Sequence, residues 1–200
     1  MAGNAHPPAL FNRRRLVTHV EPKGGVWRRM YASSHANPLG FGHSLSRFSD
    51  PTGTGFGVVY LGSTAKAAFV ETILRDRGEA RVDAIPIPYA ELEAYICARV
   101  EIVSDLRLID LCGDSGLKTG VPTDAARAKD QTIARVWSKT FYEHPEAVDG
   151  ILYPSRLNEQ RNIALYDRAL SKLRPLSTPR LVECRDELAA IIRDLDLAIV

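Results

Sequence analysis

LSRFSDPTGTGFGVVYLGSTAKAAFVETILRDRG, residues 45–78, is the stretch that decides how this chain folds. It opens with Arg47 and Phe48 and runs into a turn. Asp50-Pro51 and the glycines Gly53, Gly55 and Gly57 favour that turn because they accept backbone angles that other residues resist. Val58, Val59, Tyr60 and Leu61 then read as an apolar strand. Ser63 or Thr64 stands where a helix is capped, good helix formers continue from Ala65, and Gly78 provides a stop.

Glu71 is the odd residue of that helix. At about 100° per residue it falls beside Ala67 and Leu74, at the margin of the apolar arc of Ala67, Val70, Ile73 and Leu74. A carboxylate there sits where a helix meets its sheet, with alanine neighbours leaving room. The same position also suits a solvated glutamate paired with Arg75 four residues on, a weakly stabilising surface pattern.

Upstream, GVWRRMYA (residues 25–32) alternates, with Val26, Arg28 and Met30 on one face and Trp27, Arg29 and Tyr31 on the other. If the first face is inward, Arg28 is a cleft arginine that needs an anion to offset desolvation. If the second is inward, Arg28 stands in water. SSHANPLGFGHS (residues 33–44) is a loop, and the spacing of His35 and His43 matches no metal-ligand motif. Residues 1–15, with two prolines and Arg13 to Arg15, read as an N-terminal arm, and residues 16–200 as one domain.

Composition narrows the class. In 200 residues, 45% apolar side chains suffice for one core, and 26 basic against 24 acidic groups are too evenly balanced for a dedicated nucleic-acid binder. Residues 1–30 are locally basic, with six cations facing Glu21 alone. Cys97, Cys112 and Cys184 fit neither a zinc site nor a disulfide framework, so the thiols read as idle ones in a reducing compartment. No apolar run approaches the roughly 18 residues of a membrane span, and the expected location is the cytoplasm.

Downstream, residues 80–87, 98–103 and 106–111 read as strands, with PIPYAEL as a turn. GDSGLKTG (residues 113–120) is no phosphate loop, because Leu117 precedes Lys118 and Gly120-Val121-Pro122 follows. GTGFG leads into a strand and not a helix, so it is no dinucleotide fingerprint. Thr123 would cap a helix over 124–142, ended by His144-Pro145. DGILYPSR (residues 149–156) is a short strand that ends on Ser155 and Arg156. Ser155 is a hydrogen-bond donor there or a turn serine, and without an elbow or a nearby histidine it is no nucleophile. Residues 162–167 read as a strand, 175–182 as an extended segment, and 184–197 as an amphipathic helix.

The order of Arg28, RFSDP at Arg47, VVYLGSTAKAAFVE with Tyr60 and Glu71, and DGILYPSR with Ser155 resembles the RES domain, from about Val26 to Asp167. The resemblance implies an α+β fold, a single domain with an ADP-ribosyltransferase-like mixed or antiparallel split sheet flanked by helices. It also implies a toxin of an Xre–RES toxin–antitoxin pair that destroys NAD by cleaving the nicotinamide–ribose bond, through hydrolysis or phosphorolysis. NAD is then a consumed substrate, and neither a cofactor nor a metal is expected. Glu71 would be the catalytic carboxylate and Arg47 its catalytic companion. Arg28 and Arg47 would hold the anionic part of NAD, with Arg29 the other candidate at the first position. Tyr60 would line the nicotinamide and ribose pocket, and Ser155 would orient the substrate. The partners implied are NAD and an Xre-type antitoxin covering the cleft, with direct contact to neither nucleic acid nor membrane; a homodimer is left open. Transfer of ADP-ribose to a macromolecule and a non-catalytic binding module are the alternatives.

Overall fold

Residues 5–75, 77, 83–158 and 160–200, apart from the Asp124 side chain, are described by the computed structural model of the chain. Among them the strands are β1 (Thr18–Glu21), β2 (Val26–Ala32), β3 (Val58–Gly62), β4 (Ile85–Ile87), β5 (Tyr95–Ile102), β6 (Leu106–Asp110), β7 (Gly150–Pro154), β8 (Arg161–Tyr166), β9 (Leu173–Ser177) and β10 (Leu197–Ile199). The helices are α1 (Ala65–Thr72), α2 (Tyr89–Glu93), α3 (Gly113–Thr119), α4 (Thr123–Arg127), α5 (Thr132–Tyr142) and α6 (Arg185–Asp194).

Eight strands form one sheet in the order β1-β6-β7-β8-β3-β2-β5-β9, antiparallel throughout except for the parallel pair β6 and β7. The fold is therefore α+β, with a mixed sheet flanked by helices. β4 and β10 make a separate parallel ribbon. One join in the large sheet is weak. β3 pairs with β8 from Val58↔Tyr166 to Gly62↔Asn162, whereas β3 and β2 share only Arg28↔Gly62. The sheet is split there.

Period-two alternation divides the apolar residues between the two faces of the sheet. Trp27, Val59, Leu61, Val100, Leu108 and Ile163, from five strands, join one cluster that the curled sheet closes around. The opposite face is covered in two halves. α5 brings Ala134, Trp137 and Phe141 against Ile151, Tyr153 and Tyr166. α1 and α6 bring Phe69, Val70, Leu188 and Ile191 against Met30 and Cys97. The split between β2 and β3 lies between the two helical layers. Among the described residues no helix is long and apolar enough to cross a membrane.

Several elements differ from the sequence reading for local reasons. The helix expected over 124–142 is two, α4 and α5, interrupted where Asp130 turns its side chain to accept the Thr132 N–H at 2.9 Å. The PIPYAEL turn contains α2, and residues 113–119 form α3, closed by Gly120 at φ 74°. Of the strand expected over 80–87, residues 80–82 lie outside the described residues and the rest gives β4, from Ile85; β1 and β10 are additional strands. α1 ends at Thr72, and the expected stop at Gly78 lies outside the described residues. The segment read as an arm lies on the domain: Phe11 is in the core beside Trp137, whose indole N–H donates to the Ala5 carbonyl at 2.8 Å.

Candidate active site

The 45–78 stretch builds one wall of a cavity of about 360 Å³ that opens at the split in the sheet. Arg29 and Met30 reach it from β2, Tyr60 and Gly62 from β3, Glu71 from α1, and Tyr153 from β7. The loop around Phe41 and the segment around Arg47 close its rim.

Each side chain is held by something specific. Thr64 caps α1 by accepting the Ala67 N–H at 3.0 Å, so the helix starts immediately over Gly62. That glycine is needed: a Cβ on it would lie 2.6 Å from the Ala68 backbone nitrogen. Three residues past Ala68 the helix presents Glu71, half-buried, to the cavity.

Arg47 is placed by its neighbours in sequence. Phe48 is fully buried and packs edge-on to Tyr153 at 4.9 Å, and its carbonyl accepts the Ser138 hydroxyl at 2.6 Å. Next along, Asp50 folds the Gly-rich turn by accepting the N–H groups of Thr52, Thr54 and Gly55. The Tyr60 hydroxyl accepts the Phe48 N–H at 2.9 Å and bonds Ser46 at 2.9 Å, tying the segment to β3. Arg47 itself donates to the Ala128 carbonyl at 2.8 Å, an acceptor exposed by the break between α4 and α5.

The electrostatics follow from burial and crowding. Burial lowers the pKa of Arg47; the nearby Tyr153 and Glu71 act against that, and Arg156 and Arg75 add to it. Burial pushes Tyr153 well above the ordinary tyrosine value, with Glu71 adding to the shift. Burial brings Arg29 down to about 10, so it is still protonated at neutral pH, and its guanidinium donates to the Pro38 and Gly40 carbonyls. The cavity thus gathers Arg29, Arg47, Arg75 and Arg156 around Glu71, the single carboxylate among its described lining residues. Such a site attracts an anion.

Three of the residues singled out in the sequence, Arg47, Tyr60 and Glu71, line this cavity. Arg28 and Ser155 are not among its lining residues. Arg28 points to the α6 side, where it pairs with Glu187, so at the first position the cavity arginine is its neighbour Arg29. Strand alternation puts the two on opposite faces, and Arg29 reaches the cavity because β2 parts from β3 just beyond Arg28↔Gly62. Ser155 is fully buried; its Nα–H donates to the Gln160 carbonyl and its hydroxyl accepts the Leu157 N–H at 3.1 Å. It holds the turn that delivers Arg156.

Sequence reading did not find Arg75, Tyr153 or Asn162 as cavity residues. Asn162 is the most informative, since it is 2% exposed and its amide nitrogen finds no hydrogen-bond partner among the described residues. Its position opposite Gly62 at the sheet split is a pairing that only the tertiary structure shows. Away from the cavity, Cys97, Cys184 and Glu187 place a ligand atom each within 4.8 Å of one another, the one grouping among the described residues with metal-compatible spacing. Burial raises both thiols, Cys97 to about 12, so they keep their protons at neutral pH.

Comparison with known proteins agrees with this architecture. The family profile described as RES domain matches residues 18–183. A curated relative, "Probable toxin y4kH" of Sinorhizobium fredii (strain NBRC 101917 / NGR234), is 45% identical over 127 residues, 64% of this chain and 100% of the relative. Among solved structures, the M. tuberculosis MbcT–MbcA toxin–antitoxin complex contains a chain that superposes with a TM-score of 0.62. The match has 16% identity and covers 85% of this chain and 92% of that one, a likeness of fold. With the family profile spanning most of its length, the chain belongs to the RES domain family.

Proposed function

We propose that this protein is the toxin of a toxin–antitoxin pair and that it degrades NAD in the cytoplasm by breaking the nicotinamide–ribose bond. One observation carries the reading: a half-buried carboxylate, Glu71, the one acid among the described lining residues, lies in a cavity otherwise charged by arginines. The substrate has the complementary pattern, an anionic diphosphate beside a ribose that becomes cationic in the transition state.

As the C–N bond breaks, its electron pair neutralises the departing nicotinamide ring, and positive charge spreads over C1′ and the ring oxygen of the ribose. Glu71 stabilises that charge more than it stabilises the ground state, which is what accelerates the step. A water attacking C1′ gives ADP-ribose and releases one proton; inorganic phosphate in its place gives the 1-phosphate of ADP-ribose. Arginine forks hold the diphosphate, Tyr153 or Tyr60 offers a ring face to the nicotinamide, and the unpartnered Asn162 amide donates to a ribose hydroxyl or carboxamide oxygen.

A toxin with such an open site needs a partner to cover it, and an Xre-type antitoxin fits the role. Phe41 and Leu157 at the cavity wall are 38% and 43% exposed, and Leu45, between the lining residues Ser44 and Ser46, is 61% exposed, apolar surface suited to burial under a protein.

Incubation of the purified protein with labelled NAD, followed by chromatography, tests the reading. Free nicotinamide and a small-molecule ADP-ribose product are expected, and Glu71→Gln should keep the fold while losing about 100- to 1,000-fold in kcat. Label that ends on a macromolecule would support transfer instead. Absence of nicotinamide release, or a normal rate for Glu71→Gln, overturns the proposal.

A further inference from the structure

The cavity at Glu71 adjoins a second concavity of about 350 Å³. Arg75, Gln131 and Arg156 line both, so one ligand can lie across the two. Past that shared wall the second concavity is lined by Lys129, Asp130 and Arg135, and among the described residues its charged side chains are four cations and one carboxylate. The carboxylate is turned toward the start of α5, where Asp130 accepts the Thr132 N–H. The break between α4 and α5 creates this shelf, since Lys129, Asp130 and Gln131 all fall within it.

Size and charge together select the ligand. A cavity of about 360 Å³ is at the small end of the roughly 300–1,000 Å³ that hold drug-sized molecules, and a nicotinamide dinucleotide is larger than those. With the nicotinamide ribose at Glu71 and the diphosphate at the shared arginines, the adenosine half must lie on the shelf. In NAD that half is neutral; a phosphate on the adenosine ribose would add charge opposite to the excess of cations that lines the shelf.

We infer that this shelf binds the additional phosphate of a 2′-phosphorylated nicotinamide dinucleotide, making NADP a substrate at least as good as NAD. The inference rests on the NAD-cleaving reading of the adjoining cavity. Lys129 and Arg135 are then specificity residues, remote from the bond that breaks.

The test measures kcat/KM for NADP and NAD by nicotinamide release, in the wild-type protein and in the double variant Lys129→Gln, Arg135→Gln. Wild type should use NADP at least as well as NAD. The double variant should lose at least about tenfold on NADP, and less than about fivefold on NAD. Equal losses on the two substrates, or a wild type that cleaves NAD and ignores NADP, overturn the shelf and leave NAD cleavage standing. If neither dinucleotide is cleaved, the cleavage reading falls, and calorimetric titration of both proteins with NADP and NAD decides the shelf separately. Tighter NADP binding that disappears in the double variant supports it; equal binding of the two dinucleotides overturns it.

Discussion

Gly62→Ala is the substitution that ties the fold to the chemistry most directly. The added methyl would lie 2.6 Å from the Ala68 backbone nitrogen and 3.0 Å from the Ala67 Cβ, whereas ordinary contact begins at 3.4 Å. The start of α1 must therefore retreat by about 0.8 Å, the difference between 3.4 and 2.6 Å. Backbone cannot swing aside as a side chain can. Because α1 is a hydrogen-bonded unit, Glu71 less than one turn beyond Ala68 moves with it. A misplacement near 1 Å at a reacting centre costs up to about 100-fold in rate. Overpacking of this kind costs about 1–3 kcal/mol, which at this chain length lowers Tm by about 2–12 °C. The assays are kcat for nicotinamide release and a calorimetric melt. Gly57→Ala is the control: the three atoms nearest its methyl all belong to the Phe41 ring, a cavity-wall side chain 38% exposed, so KM should change more than kcat or Tm. A Gly62→Ala protein with wild-type kcat and a Tm within about 1 °C would refute the claim that this contact seats Glu71.

Arg29→Gln should reduce kcat/KM by at least about tenfold, because a cavity cation that also pins the Pro38 and Gly40 carbonyls is lost. Arg28→Gln breaks a partly exposed pair with Glu187, worth about 0–1 kcal/mol, and should leave kinetics within about twofold of wild type. Ser155→Ala removes the part-buried hydrogen bond from the Leu157 N–H and should cost about 0.5–1.5 kcal/mol in a denaturant titration, with any kinetic loss appearing through Arg156. Burial alone would raise the Asp50 carboxyl, but hydrogen bonds from the Thr52 side chain and the Gly55, Thr54 and Thr52 N–H groups outweigh it and hold it below its ordinary 3.8. A group depressed in the folded state stabilises above its unfolded pKa, so this contribution is complete at neutral pH and fades as pH falls below about 4. The slope of Tm against pH in that range should be shallower in Asp50→Asn.

Local chemistry was readable from the chain alone where short-range rules act without competition. The Thr64 cap, the alternation of residues 26–32, the apolar strand before Gly62 and the marginal position of Glu71 are each set by neighbours within a few residues. The order of Arg28, Arg47, Tyr60, Glu71 and Ser155 suggested a family, and three of those side chains, Arg47, Tyr60 and Glu71, share a cavity. Alternation could say that Arg28 and Arg29 face opposite ways. It could not say which way is the site.

That choice depends on where β2 leaves β3, a long-range pairing that no local pattern encodes. The same holds for the break between α4 and α5. Helical periodicity ran on through residues 124–142, yet Asp130 found a local partner in the Thr132 N–H, and the freed Ala128 carbonyl took Arg47. Arg75, Arg156 and Asn162 enter the cavity from a turn after α1, from the end of β7 and from β8, segments made neighbours only by sheet order. Sequence thus determined which side chains had chemistry to offer and which short elements carried them. Tertiary structure alone decided which of them share a cavity, because strand pairing and helix packing are settled by contacts far apart along the chain.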